Sequence, residues 1–183
     1  MKTAKLVMLL LLISLLSVTQ LFCSSKTAHL ETIKNFDLKR YSGTWYEIAR
    51  LPNRFEKGLV CVTAEYQLMK DGRIKVTNRG RKEKNTSEGT SAAGVAWVPD
   101  PAEPGKLKVS FFWPFSGDYW ILKLDQKEYR YVLVGDQSRK YLWILARTPS
   151  IEKEVHKSLA DVARERGFPT EKLYLTPQNC CQE

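Results

Sequence analysis

Histidine is nearly missing: the 183 residues hold two, His29 and His156. A His-rich metal site is thereby excluded, and a hydrolase that needs an imidazole base has almost nothing to build with. Low-complexity tracts are absent, and so is any repeat of about 20–50 residues, which excludes a solenoid or propeller. No apolar run reaches the roughly 20 residues of a membrane-spanning helix. The longest, Leu6 to Leu16, is interrupted by Ser14. Disorder is excluded by the other side of the ledger, 43% hydrophobic against 27% charged residues.

What is present begins with a leader. Lys2 and Lys5 precede the short apolar run, and small or polar residues follow it, as in an export signal over residues 1–22. Two cuts fit. One leaves Cys23 first, ready for lipidation and anchoring. The other follows Ser25, with Ser25 and Cys23 at −1 and −3, and releases a secreted protein. Removing residues 1–22 takes two lysines and no acid, so the formal charge of +9 becomes +7. Such a surface is compatible with anionic lipid. The basic residues are scattered among acids except for a cluster at Arg79 to Lys84, and with export this argues against a nucleic-acid partner.

After a tether over residues 23–34 the chain alternates in short segments. Strands are expected over Gly43–Leu51, Cys61–Met69, Ile74–Arg79, Ser91–Val98, Lys106–Trp113, Asp118–Leu124, Arg130–Gly135 and Tyr141–Arg147. Lys70-Asp71-Gly72-Arg73 reads as a tight hairpin turn, since Asp-Gly supplies positive φ. The polar, glycine-containing stretch from Gly80 to Gly89 reads as a loop. It includes Asn85-Thr86-Ser87, a glycosylation sequon that would carry sugar in a eukaryotic secretory pathway. Eight short strands joined in sequence predict an all-β, eight-stranded antiparallel up-and-down β-barrel, which removes the two edges an open sheet must protect. Thr148-Pro149-Ser150 is read as a helix start. Ile151, Val155, Leu159 and Val162 then recur at helical spacing up to Gly167, predicting a C-terminal α-helix packed on the outside of the barrel. Lys172 to Thr176 fits one more short strand. The barrel and its helix occupy residues 35–178, with a tail over 179–183.

Gly43-Thr44-Trp45 lies within Asn35 to Arg50, a stretch that resembles the first signature of the lipocalins. Tyr131-Val132-Leu133-Val134 resembles the seventh strand of that family, and Tyr141 to Arg147 its eighth. Within the family, Phe55-Glu56-Lys57-Gly58 and Lys108 to Phe112 resemble the bacterial outer-membrane lipoprotein lipocalins and the apolipoprotein D-like lipocalins. The resemblance implies that Trp45 plugs one end of the barrel with Arg147 laid over its indole, a stacking worth about 0.5–2 kcal/mol. It also implies a bridge from Cys61 to the C-terminal tail, at Cys180 or Cys181, an outer-membrane location for a chain lipidated at Cys23, and a possible homodimer.

Strand parity then gives the lining. Trp45 facing inward takes Glu47 and Ala49 with it. Val62, Ala64 and Tyr66 share a face of the second strand, and Ile74, Val76 and Asn78 a face of the third. Val109, Phe111 and Trp113 follow, then Tyr119, and from Arg147 backward Leu145 and Trp143. This is an apolar and aromatic interior with few polar atoms, as a long acyl chain requires. A rim with Arg50, Arg54, Lys57 and Trp113-Pro114-Phe115 would meet a lipid headgroup. The expected function is binding and transport or storage of fatty acids or lysophospholipids for maintenance of the cell envelope, without cofactor or metal. His29 is placed in the tether, and His156 off the helix's apolar stripe, facing solvent. Glu47 is the one interior carboxyl for acid chemistry. A lipid-modifying enzyme on the same scaffold is the alternative.

Overall fold

The computed structural model describes residues 30–181. The signal segment 1–22, Cys23, the alternative cut after Ser25, His29 and the side chain of Cys181 lie outside the described residues. Along the chain run a short helix α1 (Leu38–Tyr41), then β1 (Gly43–Arg50), β2 (Leu59–Leu68), β3 (Ile74–Lys82) and β4 (Asn85–Trp97). β5 (Lys106–Phe112), β6 (Phe115–Leu124), β7 (Tyr131–Gly135) and β8 (Leu142–Ala146) follow, then helix α2 (Lys153–Glu165) and a two-residue strand β9 (Tyr174–Leu175). Each strand from β1 to β8 pairs antiparallel with the next, and β8 returns to β1. The barrel is therefore closed, with its strands in sequence order.

Closure is uneven. β1 pairs with β2 only from Gly43↔Tyr66 to Tyr46↔Thr63, and beyond that the two strands part. The C-terminal tail fills the gap. The Gln178 amide donates to the Glu47 carbonyl at 2.8 Å and the Val62 carbonyl at 2.9 Å, and Cys61 N–H donates to Pro177 O. β9 pairs with Ala49 and Arg50, and Cys61 is bonded to Cys180 with their Cα atoms 6.1 Å apart. The backbone groups that two diverging strands would leave unpaired are thus satisfied by the tail.

Two apolar layers result. One fills the barrel around Trp45, Tyr41, Ile121 and Val134. The other lies between the outer faces of β6 to β8 and α2, where Leu133, Leu142 and Ile144 meet Leu159, Ala163 and Phe168. A Cβ on Gly135 would stand 2.7 Å from the Phe168 ring, so only glycine lets the chain after α2 pack this closely.

Three expectations need revision. The segment Gly80 to Gly89 is a hairpin, since β3 and β4 stay paired out to Arg81↔Gly89 and Lys82↔Asn85. Residues 85–93 are all exposed, so neither face carries the apolar alternation that marks a strand. The helix begins at Lys153 with Glu152 before it and no side-chain cap; Thr148 Oγ1 donates instead to Ser150 O within the preceding turn. The last residues of the expected tether already belong to the folded body: Leu30 is buried, and Ile33 N–H donates to Ile121 O.

Candidate ligand-binding site

One end of the barrel is shut from its own sequence. Gly43 has φ +99°, and a Cβ there would come within 3.3 Å of Arg147 Nη1. Behind it Trp45 is fully buried and donates from Nε1 to Tyr41 O. The Arg147 guanidinium lies 4.0 Å from the Trp45 ring. It donates to the carbonyls of Arg40, Tyr41, Ser42, Thr44 and Tyr129. Ring stacking and five carbonyl contacts tie α1, β1 and the β6–β7 turn together.

Above this floor is a cavity of about 90 Å³. Ten of the expected lining residues meet there: Glu47, Ala64, Tyr66, Val76 and Asn78 from β1 to β3, and Val109, Phe111, Tyr119, Trp143 and Leu145 from β5, β6 and β8. Val62 joins them from the same face of β2.

Ala49 and Trp113 do not. The β1–β8 register slips between Glu47 and Ala49, a β-bulge that reverses parity. Ala49 consequently faces the outer layer with Leu142 and Ile144, and Arg50 turns inward onto Glu47 instead of standing at the rim. Trp113 belongs to the turn between β5 and β6, where Pro114 interrupts the strand, and it is 84% exposed. Glu56, Ala96 and Asp118 line the cavity without having been anticipated. Glu56 lies in a loop, where periodicity is silent. His156 is half-buried, with Nε2 buried and unpartnered.

Polar groups in the wall are mostly tied to one another. Arg50 forms an ion pair with Glu47, and Thr176 Oγ1 donates to the same carboxylate oxygen. Arg50 Nη2 donates to the carbonyls of Glu56 and Leu59. Burial, reinforced by the nearby Glu56 charge, pushes the Glu47 carboxyl up to about 8 despite Arg50. Glu56 Oε2 accepts from Trp143 Nε1 at 3.0 Å and from Asn53 Nδ2. At the floor the Tyr119 hydroxyl meets those of Tyr41 at 2.6 Å and Tyr66 at 2.8 Å. Burial raises all three phenols above their ordinary value, so they stay neutral at physiological pH.

A closed, ordered barrel with a plugged floor, an outer helix and a narrow apolar interior is the geometry of a small-molecule container. The model of a lipocalin-like domain matches residues 36–178. This chain belongs to the lipocalin family. It is 45% identical over 160 residues to the outer membrane lipoprotein Blc of Escherichia coli strain K12, covering 85% of this chain and 88% of that one. It is 34% identical over 170 residues to apolipoprotein D of Bos taurus, covering 90% and 88%. Insecticyanin of Manduca sexta superposes with a TM-score of 0.66 at 22% identity, covering 85% of this chain and 88% of that chain, a likeness of fold alone. The lipocalin barrel serves the binding of small hydrophobic molecules.

Proposed function

We propose that this lipocalin takes one acyl chain of a fatty acid or lysophospholipid into the barrel and carries or stores it for maintenance of the cell envelope. The observation that carries the reading is the lining itself: Val62, Val76, Val109, Phe111 and Leu145 around a plugged floor. An acyl chain leaving water for that surface gains about 25 cal/mol per Å² buried. The cavity is below the roughly 300–1,000 Å³ common for drug-sized pockets, so a long chain enters as lining side chains swing aside. A headgroup left at the mouth would meet the exposed Arg54 and Lys57 of the β1–β2 loop.

Two supports come from outside the cavity. A relative named as an outer membrane lipoprotein matches most of this chain, and Cys23 directly follows the expected leader 1–22, where such an anchor would be attached. Titration of tryptophan fluorescence with fatty acids and lysophospholipids tests the carrier reading. A saturable change that is lost in Trp143→Phe is expected; a flat response to every chain overturns it. Native mass spectrometry of protein from its source reports the mass at Cys23, any retained lipid and any dimer.

A further inference from the structure

Among the described residues three carboxyls line the cavity, Glu47, Glu56 and Asp118, and no lysine or arginine does. Two of the three have a cation just behind the wall. Lys108 Nζ donates to Asp118 Oδ1 at 2.6 Å, and Arg50 is ion-paired with Glu47. Arg50 has no terminal nitrogen to spare for the third. Its Nη1 serves Glu47 and Thr176, and its Nη2 the carbonyls of Glu56 and Leu59. Arg50 therefore binds Glu56 through the backbone alone, and the Glu56 carboxylate has no ion-pair partner among the described residues.

Neutral donors hold that carboxylate in place. Asn53 Oδ1 accepts from the N–H groups of Phe55 and Glu56, which folds the β1–β2 loop into a tight turn. Asn53 Nδ2 at 2.5 Å and Trp143 Nε1 at 3.0 Å then donate to Glu56 Oε2. Both bonds go to one oxygen. The other, Oε1, accepts from no described residue and keeps accessible surface. Glu47 and Glu56 thus share one guanidinium, and one negative charge is in surplus. Burial first and the Glu56 charge second push the Glu47 carboxyl up to about 8. At neutral pH a proton on Glu47 stands in for the missing cation.

A cation on the ligand would supply the same charge. The place is right for a headgroup. Trp143 is the second residue of β8, at the end away from the Trp45 floor, and Glu56 belongs to the loop that carries the exposed Arg54 and Lys57. That loop offers a cation, an anion and a cation within residues 54–57. A zwitterionic headgroup lying across it pairs with both signs, whereas a purely anionic one leaves Glu56 without a partner. We infer that Glu56 is a specificity-determining residue whose Oε1 accepts from a ligand ammonium at the mouth, so that among single-chain lipids the barrel prefers those with an amine headgroup, such as a lysophospholipid carrying ethanolamine. Trp143 is itself part of the wall, and an indole attracts ammonium groups as a carboxylate does. The inference rests on the carrier reading above and names the headgroup which that reading leaves open.

The test uses the mature full-length protein, the variant Glu56→Gln and four probes with one chain length. These are lysophosphatidylethanolamine, its N-methyl and N-acetyl derivatives, and the free fatty acid. Acetylation removes the positive charge; methylation adds bulk and keeps it. Wild type should bind the free amine and the N-methyl form roughly tenfold more tightly than the N-acetyl form, the effect of one charge-assisted hydrogen bond. Glu56→Gln, whose amide oxygen still accepts from Trp143, should bind all three lysophospholipids within about twofold. Equal binding of the three by wild type, or an undiminished preference in a folded Glu56→Gln, overturns the role of Glu56. Should the variant not fold, the N-methyl form decides: if wild type binds it as weakly as the N-acetyl form, bulk and not charge is being read, and the inference falls. Binding of the fatty acid alone overturns the inference and leaves the carrier reading standing. Binding of none of the four overturns the carrier reading itself.

Discussion

The two ends of the barrel use the same kinds of residue for opposite purposes. At the closed end Trp45 is fully buried beneath Arg147, and the guanidinium is satisfied by five carbonyls. At the open end Phe55, Phe112, Trp113 and Phe115 are 61–84% exposed, and Arg54 and Lys57 of the β1–β2 loop are exposed as well. Buried under a net of carbonyls, an aromatic–cation pair gives stability; exposed at a rim, as where Arg54 lies 4.8 Å over the Phe55 ring, it gives a surface ready for contact. Stability and ligand contact should therefore be separable by mutation.

The largest loss should come from the tie that holds the open half together. Cys61 and Cys180 are 119 residues apart in sequence, a loop for which the chain-entropy model gives about 4–5 kcal/mol. Cys61→Ser should lower the free energy of unfolding by an amount approaching that figure, read from equilibrium denaturation. It should also loosen the tail that fills the β1–β2 gap, so amide exchange should rise first at residues 174–180. Next comes Arg147→Ala, which strips one guanidinium from five carbonyls and the Trp45 ring. A cost of about 2–4 kcal/mol is expected, with lipid affinity changed less than about threefold, since the cavity wall is untouched. Affinity falling in step with stability would merge the two ends into one device.

Legibility in the sequence follows the same division. The closed end was readable because its parts lie in or directly after regular strands: Gly43, Trp45 and Arg147 fall where parity and the lipocalin signature put them. Most of the wall was readable for the same reason, Val76 and Asn78 on β3 and Phe111 on β5 among them. Reading failed where backbone regularity fails. One bulge turned Ala49 outward and Arg50 inward. One proline turn left Trp113 outside. Glu56 reaches the wall from a loop, and the β3–β4 arm has no buried face to print an apolar pattern. Register slips and loop positions are settled by tertiary hydrogen bonds, which a single sequence does not display.

Between the two ends sits Glu47, and its titration gives a smaller effect with a definite sign. Its carboxyl is raised from 4.5 to about 8 in the folded state. A raised folded value means that the stabilising contribution is complete below the unfolded value and is lost as pH rises through the folded one. The lowered carboxyls of Asp71, Asp125 and Asp161 act the other way and only at acid pH. Between about pH 5 and 8, where Glu47 dominates, the melting temperature should decline as pH rises, and Glu47→Gln should flatten that slope. A steeper decline in the variant would place the source elsewhere.

The smallest stability effect belongs to the rim, and it is the sharpest test of the comparison. Trp113 and Phe115 are among the largest apolar side chains on the surface, yet their burial contributes almost nothing because most of each ring remains in water. Trp113→Ser and Phe115→Ser should shift unfolding by less than about 0.5 kcal/mol, as for other surface sites. Binding of lipid already free in solution should be unchanged, since neither residue lines the cavity. A ligand in the cavity should likewise leave Trp113 emission untouched while altering that of Trp143, whose indole donates to Glu56 within the wall. In Trp113→Phe the ligand-dependent fluorescence change should keep its amplitude; losing it would mean that the rim folds over the bound lipid and that the open end, too, is part of the container.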